Sequence, residues 1–189
     1  MPDLLTSVTY FAGGALLWTF LEYFLHRFLG HWKKGRNDFT REHLRHHRET
    51  NYFAPAYKKA IAATIVVSLV AAVTGFLSGR LQGISFALGL GIMYTAYEFI
   101  HKRAHTHAPI NFYGRWLRKH HFYHHFKDPK KNHGVTSPIW DIVFGTNVNP
   151  GVVTVPRALS PPWLIDGTTG KILPEYAEEY KTREDTPVP

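Results

Sequence analysis

Three stretches of the chain run without a formal charge for long enough to set its architecture. LLTSVTYFAGGALLWTFL fills the eighteen positions between Asp3 and Glu22, AIAATIVVSLVAAVTGFLSG the twenty between Lys59 and Arg80, and LQGISFALGLGIMYTAY the seventeen between Arg80 and Glu98. A helix needs roughly 20 mainly apolar residues to cross the hydrocarbon of a bilayer, with about 17 to 25 accommodated. The second stretch fits as it stands, and the other two fit with their ends in the interface. Buried helices of a soluble bundle would carry a polar stripe at helical spacing, and these windows carry none. The pattern predicts an all-α chain with about three transmembrane spans.

The polar segments between and after these windows orient it. Residues 27–59 hold nine Lys or Arg and residues 102–131 hold eight, whereas the short turn GRLQG holds only Arg80. Positive flanks stay on the cytoplasmic side, so the reading is an outside N-terminus with both basic segments in the cytoplasm. The start MPDLL has no basic n-region and no small-residue cleavage site follows, so the first apolar run is read as a retained anchor. The net charge of +8 is spent on flanking spans and is interleaved with His and aromatics, which argues against nucleic acid as partner. Residues 1–149 are read as one membrane-embedded domain. From Pro150 the material changes: residues 150–189 hold seven of the twelve prolines and the acidic end PEYAEEYKTREDTPVP, read as a wrapped or partly disordered extension.

Composition narrows the chemistry. The absence of cysteine removes disulfides, iron–sulfur clusters, thiolate-bound haem and thiol nucleophiles. No GxSxG occurs, so a serine hydrolase has no support. What the chain has instead is thirteen histidines, ten of them in four groups. HRFLGH gives His26 and His31, HLRHH gives His43, His46 and His47, HKRAH gives His101 and His105, and HFYHH gives His121, His124 and His125. Residues three and four apart share one helix face, so each of the last three groups can converge on a point. His26 and His31 are five apart and diverge on an ideal α-helix. Gly30 would let the helix end there and the second ring swing inward. All four groups follow or precede spans on the same predicted side, and neutral imidazole binds iron, zinc, copper and nickel well. Ten imidazoles are too many for one ion and suit two, a dimetal centre in a cytoplasmic helical cap. His107, His120 and His133 fall outside the groups.

Boxes HxxxxH, HxxHH, HxxxH and HxxHH in this order, followed by GVTSPIWDIVFGT, resemble the integral-membrane fatty acid hydroxylase / sterol desaturase superfamily over roughly residues 20–146. The resemblance implies a non-haem di-iron oxidoreductase that uses molecular oxygen and electrons to oxidise an unactivated C–H bond of a lipid, with the ten histidines as ligands of two iron ions. Zinc readily occupies imidazole sites and can replace iron in a purified sample. Neutral ligands leave two divalent ions uncompensated, so acids are expected to accept the far N–H of the ligand rings. Glu22, Glu98 and Asp128 stand three or four positions from His26, His101 and His124, and Asp141 is a further candidate by motif position.

No dinucleotide fingerprint follows a strand, so the electrons are expected from a separate donor protein attracted to the basic face. The segment APINFYGRWLRKHHFYHHF mixes aromatics with cations, as an interfacial helix does. Within the resemblance, hydroxylation of a fatty acyl chain is the preferred activity. Sterol oxidation or desaturation and carotenoid hydroxylation are the alternatives on the same scaffold, and a membrane metal carrier is the non-enzymatic one.

Overall fold

The structure is a computed structural model that describes residues 2–32 and 35–183. Its order is α1 (Pro2–Phe24) continued by π-helical turns (Leu25–Trp32), then α2 (Asp38–Arg48), α3 (Ala56–Ser78), α4 (Arg80–Thr106), α5 (Phe112–Phe126) and α6 (Ile139–Val143), with two short strands, β1 (Val153–Pro156) and β2 (Tyr180–Arg183), after them. Three helices are long and apolar enough to cross a membrane, Asp3–Trp32, Ala56–Ser78 and Arg80–Thr106. The protein is therefore an all-α integral membrane protein, as the apolar windows predict. The spans run past the charges that bound those windows, because a charged residue at a membrane interface does not stop a helix.

The described chain forms two compact units, one from the stretch ending at Glu22 with Ala54–Phe99, the other from Tyr23–Phe53 with the chain from Ile100 onward. In the first, α1, α3 and α4 pack through glycine. A side chain at Gly14 would strike the Phe86 carbonyl and one at Gly89 the Phe11 carbonyl, so α1 and α4 touch backbone to backbone, and Gly83 meets α3 at Ala71 and Gly75 in the same way. Small residues permit this approach where lipid supplies no hydrophobic drive for helix association. Further along the same contact Trp18 packs edge-on against Tyr94, ring centroids 4.8 Å apart. Lys59 on α3 pairs with Glu98 on α4. No residue of α3 is buried, and Phe76, Leu77, Ile65 and Leu69 stand outward, as a lipid-facing helix requires. Gly89→Leu is expected to wedge α1 from α4 at a cost of about 1–3 kcal/mol. A lowered melting temperature in detergent would register it, against no decrease for Gly91→Ala, whose Cβ would meet only a Val67 methyl at 3.9 Å.

The second unit is built around α5. One of its faces carries histidines, and the other carries Phe122, which is fully buried among Val153, Val155, Leu164, Tyr176 and Tyr180 of the C-terminal segment. β1 and β2 pair in parallel, Val153 opposite Tyr180 and Val155 opposite Thr182, and Arg115 on α5 reaches Glu179 at 3.0 Å. The proline-rich stretch thus folds against α5 over residues 150–183 and supplies the apolar backing that α5 would otherwise lack. Arg118 secures the other end of the unit. Its guanidinium donates to the carbonyls of Arg103 in the last turn of α4, of His107 just beyond it and of Gly114 on α5, at 2.7–3.1 Å, cross-linking the end of α4 to α5.

Candidate metal centre

Four elements of the second unit bring ten histidines together in two groups of five. His26 and His31 from the π-helical turns, His43 and His47 from α2 and His124 from α5 form the first. His46 from α2, His101 and His105 from α4 and His121 and His125 from α5 form the second. Within each group the nearest ring nitrogens all lie within 4.8 Å of one another. Helices α2 and α5 each serve both groups, and the rings of His47 and His125 stack across the division at 4.0 Å.

The local sequence explains how each element presents its rings. Asn37 caps α2, its side chain accepting from the Thr40 N–H at 2.7 Å, and the Thr40 hydroxyl donates to the Leu29 carbonyl at 2.6 Å, which ties α2 to the π-helical turns. Asn111 caps α5 through the Gly114 N–H at 2.8 Å. Spacings of three and four then place His43, His46 and His47, His101 and His105, and His121, His124 and His125 inward. The HxxxxH pair departs from the expectation. The helix does not end at Gly30; it widens into a π-helix over Leu25–Trp32, whose i→i+5 hydrogen bonds bring residues five apart back to one side. Gly30 has another task, since the His43 ring occupies the space a Cβ there would take.

Three rings have their tautomers set by the backbone. The Nδ1–H of His26 donates to the His133 carbonyl at 2.5 Å, that of His46 to Tyr52 at 2.7 Å, and that of His124 to Lys131 at 2.7 Å. A carbonyl oxygen only accepts, so in each neutral ring Nε2 is left as a bare lone pair. Those lone pairs face other ring nitrogens. His124 Nε2 is 2.9 Å from His31 Nε2, His31 Nε2 is 2.9 Å from His43 Nε2, and His46 Nε2 is 3.1 Å from His101 Nε2. His101 and His105 each approach His121 Nε2 at 3.0 Å. His26 Nε2 and both nitrogens of His125 are buried without a hydrogen-bond partner among the described residues. Converging lone pairs repel unless a cation stands among them. Two nitrogens each about 2.1 Å from one ion, and at right angles about it, lie about 3.0 Å apart, which is the spacing observed. The donors fit two metal ions that accept neutral nitrogen.

Burial holds His43, His47, His121, His124 and His125 well below the ordinary histidine range, and the neighbouring histidines add to the effect. These rings therefore stay neutral, the form that binds metal, at pH values where a free histidine is charged. The same burial carries a stability consequence. The folded chain keeps the rings neutral while the unfolded chain takes up protons as pH falls through about 6.5. Stability is therefore complete above that value and declines below it, by up to about 1.4 kcal/mol per histidine per pH unit. In metal-free protein the melting temperature is expected to drop by about 3–6 °C per histidine in total between pH 7.5 and 5.5. A flat profile would show that the rings are not shielded.

Glu98 is paired with Lys59 and Glu22 is buried in α1. Asp128 accepts from the Lys130 N–H at 2.9 Å. Asp141, fully buried, accepts from the N–H of His133 at 2.8 Å and of Gly134 at 2.7 Å and from the Thr146 hydroxyl at 2.7 Å, with the His120 ring at 3.6 Å. Burial opposes its ionisation, but these donors outweigh that and hold the carboxyl below its ordinary range. Asp141 thus steadies the 131–134 turn whose carbonyls take the protons of His26 and His124. Asn132, at φ 55°, pins the same turn through Val148. Neither Asn132 nor the three carbonyls was identified from the sequence. The nearest sequence signal is an Asn immediately before HG, a residue that tolerates a left-handed backbone. His120 stacks on Trp116 away from the two groups, and His107 is exposed. His133 stands beside the first group, its ring 5.2 Å from that of His124, with burial pushing it down to about 4.

Comparison with known proteins adds an independent line. A family model described as fatty acid hydroxylase matches residues 11–146. The chain is 32% identical over 148 residues to a ceramide very long chain fatty acid hydroxylase of Schizosaccharomyces pombe, covering 74% of this chain and 42% of that protein. It is 30% identical over 138 residues to a dihydroceramide fatty acyl 2-hydroxylase of Arabidopsis thaliana, covering 70% and 58%. Among solved structures it resembles full-length scs7p, in which only the hydroxylase domain is visible, with a TM-score of 0.65 and 28% identity over 77% of this chain and 58% of that one. The chain spans about two fifths to three fifths of the length of these relatives.

Proposed function

Starting from the fact that the chain belongs to the fatty acid hydroxylase family, we propose that it is an oxygen-dependent membrane lipid hydroxylase acting on a C–H bond of a fatty acyl chain. The observation that carries this is the pair of five-histidine groups with inward lone pairs, set in a family member that spans a membrane. The ten histidines hold two ions, and the family points to iron. Bound there, the pair of irons supplies the redox chemistry that activates oxygen.

Everything else is the work of this chain. The carbonyls of Tyr52, Lys131 and His133 hold His46, His124 and His26 in the Nδ1–H tautomer, so that binding costs no proton rearrangement. Burial of the rings excludes water, which would otherwise protonate them and quench a reactive site. Overall, R–H, O2, two electrons and two protons give R–OH and water. The electrons come from a separate donor protein, which the basic segments flanking the spans would attract if it is acidic. The charge asymmetry of those segments puts the N-terminus outside and the histidine groups on the cytoplasmic side. The dihydroceramide and ceramide hydroxylases to which the chain is similar favour an acyl chain of a complex lipid over a sterol or carotenoid.

The test is a lipid mass-spectrometric profile of cells making the chain and of matched cells without it, grown under oxygen-18. Acyl chains that gain one labelled oxygen only in the producing cells are the expected result. Desaturated chains, or a change confined to sterols or carotenoids, would overturn the activity or the substrate.

A further inference from the structure

Helix α6 has two opposed faces, and the centre uses one of them. Asp141 points inward and is fully buried, whereas Ile139, Ile142, Val143 and Phe144 stand outward at 48%, 61%, 61% and 48% exposure. The start of α5 extends the patch. Tyr113 donates to the Thr136 carbonyl at 2.9 Å, joining the start of α5 to the approach to α6, and Ile110 and Phe112 beside it are each 86% exposed. Six large apolar side chains outside the three spans are thus left uncovered on neighbouring segments. Large apolar side chains left exposed on neighbouring segments mark an interaction surface.

The position of the patch says what covers it. The Phe144 ring stacks on that of Tyr23, centroids 5.3 Å apart and planes 15° apart, and the Tyr23 hydroxyl meets the Thr146 hydroxyl at 3.1 Å. Tyr23 belongs to the candidate span Asp3–Trp32, directly after the uncharged window that ends at Glu22. That is the level at which tyrosines mark a membrane–water interface. α6 is therefore fastened to Tyr23, at the end of the apolar stretch of that candidate span. Cations frame it: Arg27 donates to the Tyr23 hydroxyl at 2.5 Å, and the Lys131 ammonium reaches the Gly145 carbonyl at 3.3 Å. An apolar face with basic residues at its margin suits acyl chains below and lipid phosphates beside.

We propose that α6, with Ile110 and Phe112, is inserted into the bilayer interface, its outward side chains among the upper acyl carbons and Arg27 and Lys131 at the phosphates. One short helix then faces lipid on one side and steadies the 131–134 turn, through Asp141, on the other.

The absence of cysteine makes the test direct. Val143→Cys and, as a second outward position, Ile139→Cys carry an environment-sensitive fluorophore in full-length protein. Thr168→Cys on the exposed C-terminal segment is the aqueous reference. The proteins are reconstituted in vesicles of phosphatidylcholine and phosphatidylglycerol, with and without nitroxide-labelled acyl chains. The α6 probes should be quenched several-fold more by the nitroxide lipid than the Thr168 probe, and several-fold less by aqueous iodide. Iodide quenching equal to that of the Thr168 probe would overturn the proposal by placing the face in water. Protection from both quenchers would overturn it equally, by showing that protein covers the patch. Metal content of the labelled proteins reads the hydroxylase assignment separately, so the two can fail independently.

Discussion

Replacing His124 by alanine is expected to abolish lipid hydroxylation and to lower the metal content from two ions per chain to one. His124 is fully buried, its Nδ1–H is fixed by the Lys131 carbonyl, and its bare Nε2 faces His31 at 2.9 Å. Partners that only orient a ligand typically cost about 10–100-fold in affinity or activity when removed, so loss of the donor itself should exceed about 100-fold. The second group contains no atom of His124 and should keep its ion. Elemental analysis of purified protein, with the oxygen-18 lipid profile beside it, separates the outcomes. Wild-type hydroxylation with two ions still bound would remove His124 from the centre. Loss of both ions with a folded chain would show that the groups fill only together, not as two independent sites.

The second large effect is expected at Asp141, which touches no ring of the ten. Asp141→Ala leaves the backbone N–H groups of His133 and Gly134 buried without their acceptor and takes the nearest acceptor from the Thr146 hydroxyl. Each such group costs about 1–3 kcal/mol, against a total stability of about 5–15 kcal/mol for a typical domain. The variant should accumulate poorly. What can be purified should lose the ion of the first group before that of the second, because the 131–134 turn serves His26 and His124 while His46 rests on Tyr52. Thr146→Val, which removes one donor with its need for an acceptor, should be far milder. Equal loss from both groups would mean that Asp141 supports the unit as a whole and not this turn.

These expectations draw on parts of the molecule that the sequence discloses to different degrees. The spans are legible because a charge-free window long enough to cross a bilayer has few other uses. The ten histidines are legible because three of their four boxes use α-helical spacing, which can be read without knowing what lies opposite. The partners of the ring N–H groups are not legible. Charge balance leads one to expect carboxylates, whereas His46, His124 and His26 donate to the carbonyls of Tyr52, Lys131 and His133. A backbone carbonyl is present at every position, so nothing in its residue type announces it. The turn that Asn132 and Asp141 hold in place makes the Lys131 and His133 carbonyls available. The packing of the C-terminal segment is hidden for a related reason. Val153, Val155, Leu164, Tyr176 and Tyr180 are scattered among prolines with no periodicity, and they form one surface only once α5 supplies Phe122 as its centre.

The π-helical turns at Leu25–Trp32 bear on how such motifs are measured. HxxxxH on a π-helix and HxxxH on an α-helix deliver two imidazoles to one side of a rod, and they differ by a single residue of pitch. The interval between ligands is thus graduated by the helix beneath it. A five-residue interval judged with an α-helical ruler looks divergent, although in this chain it belongs to a coil wound slightly wider.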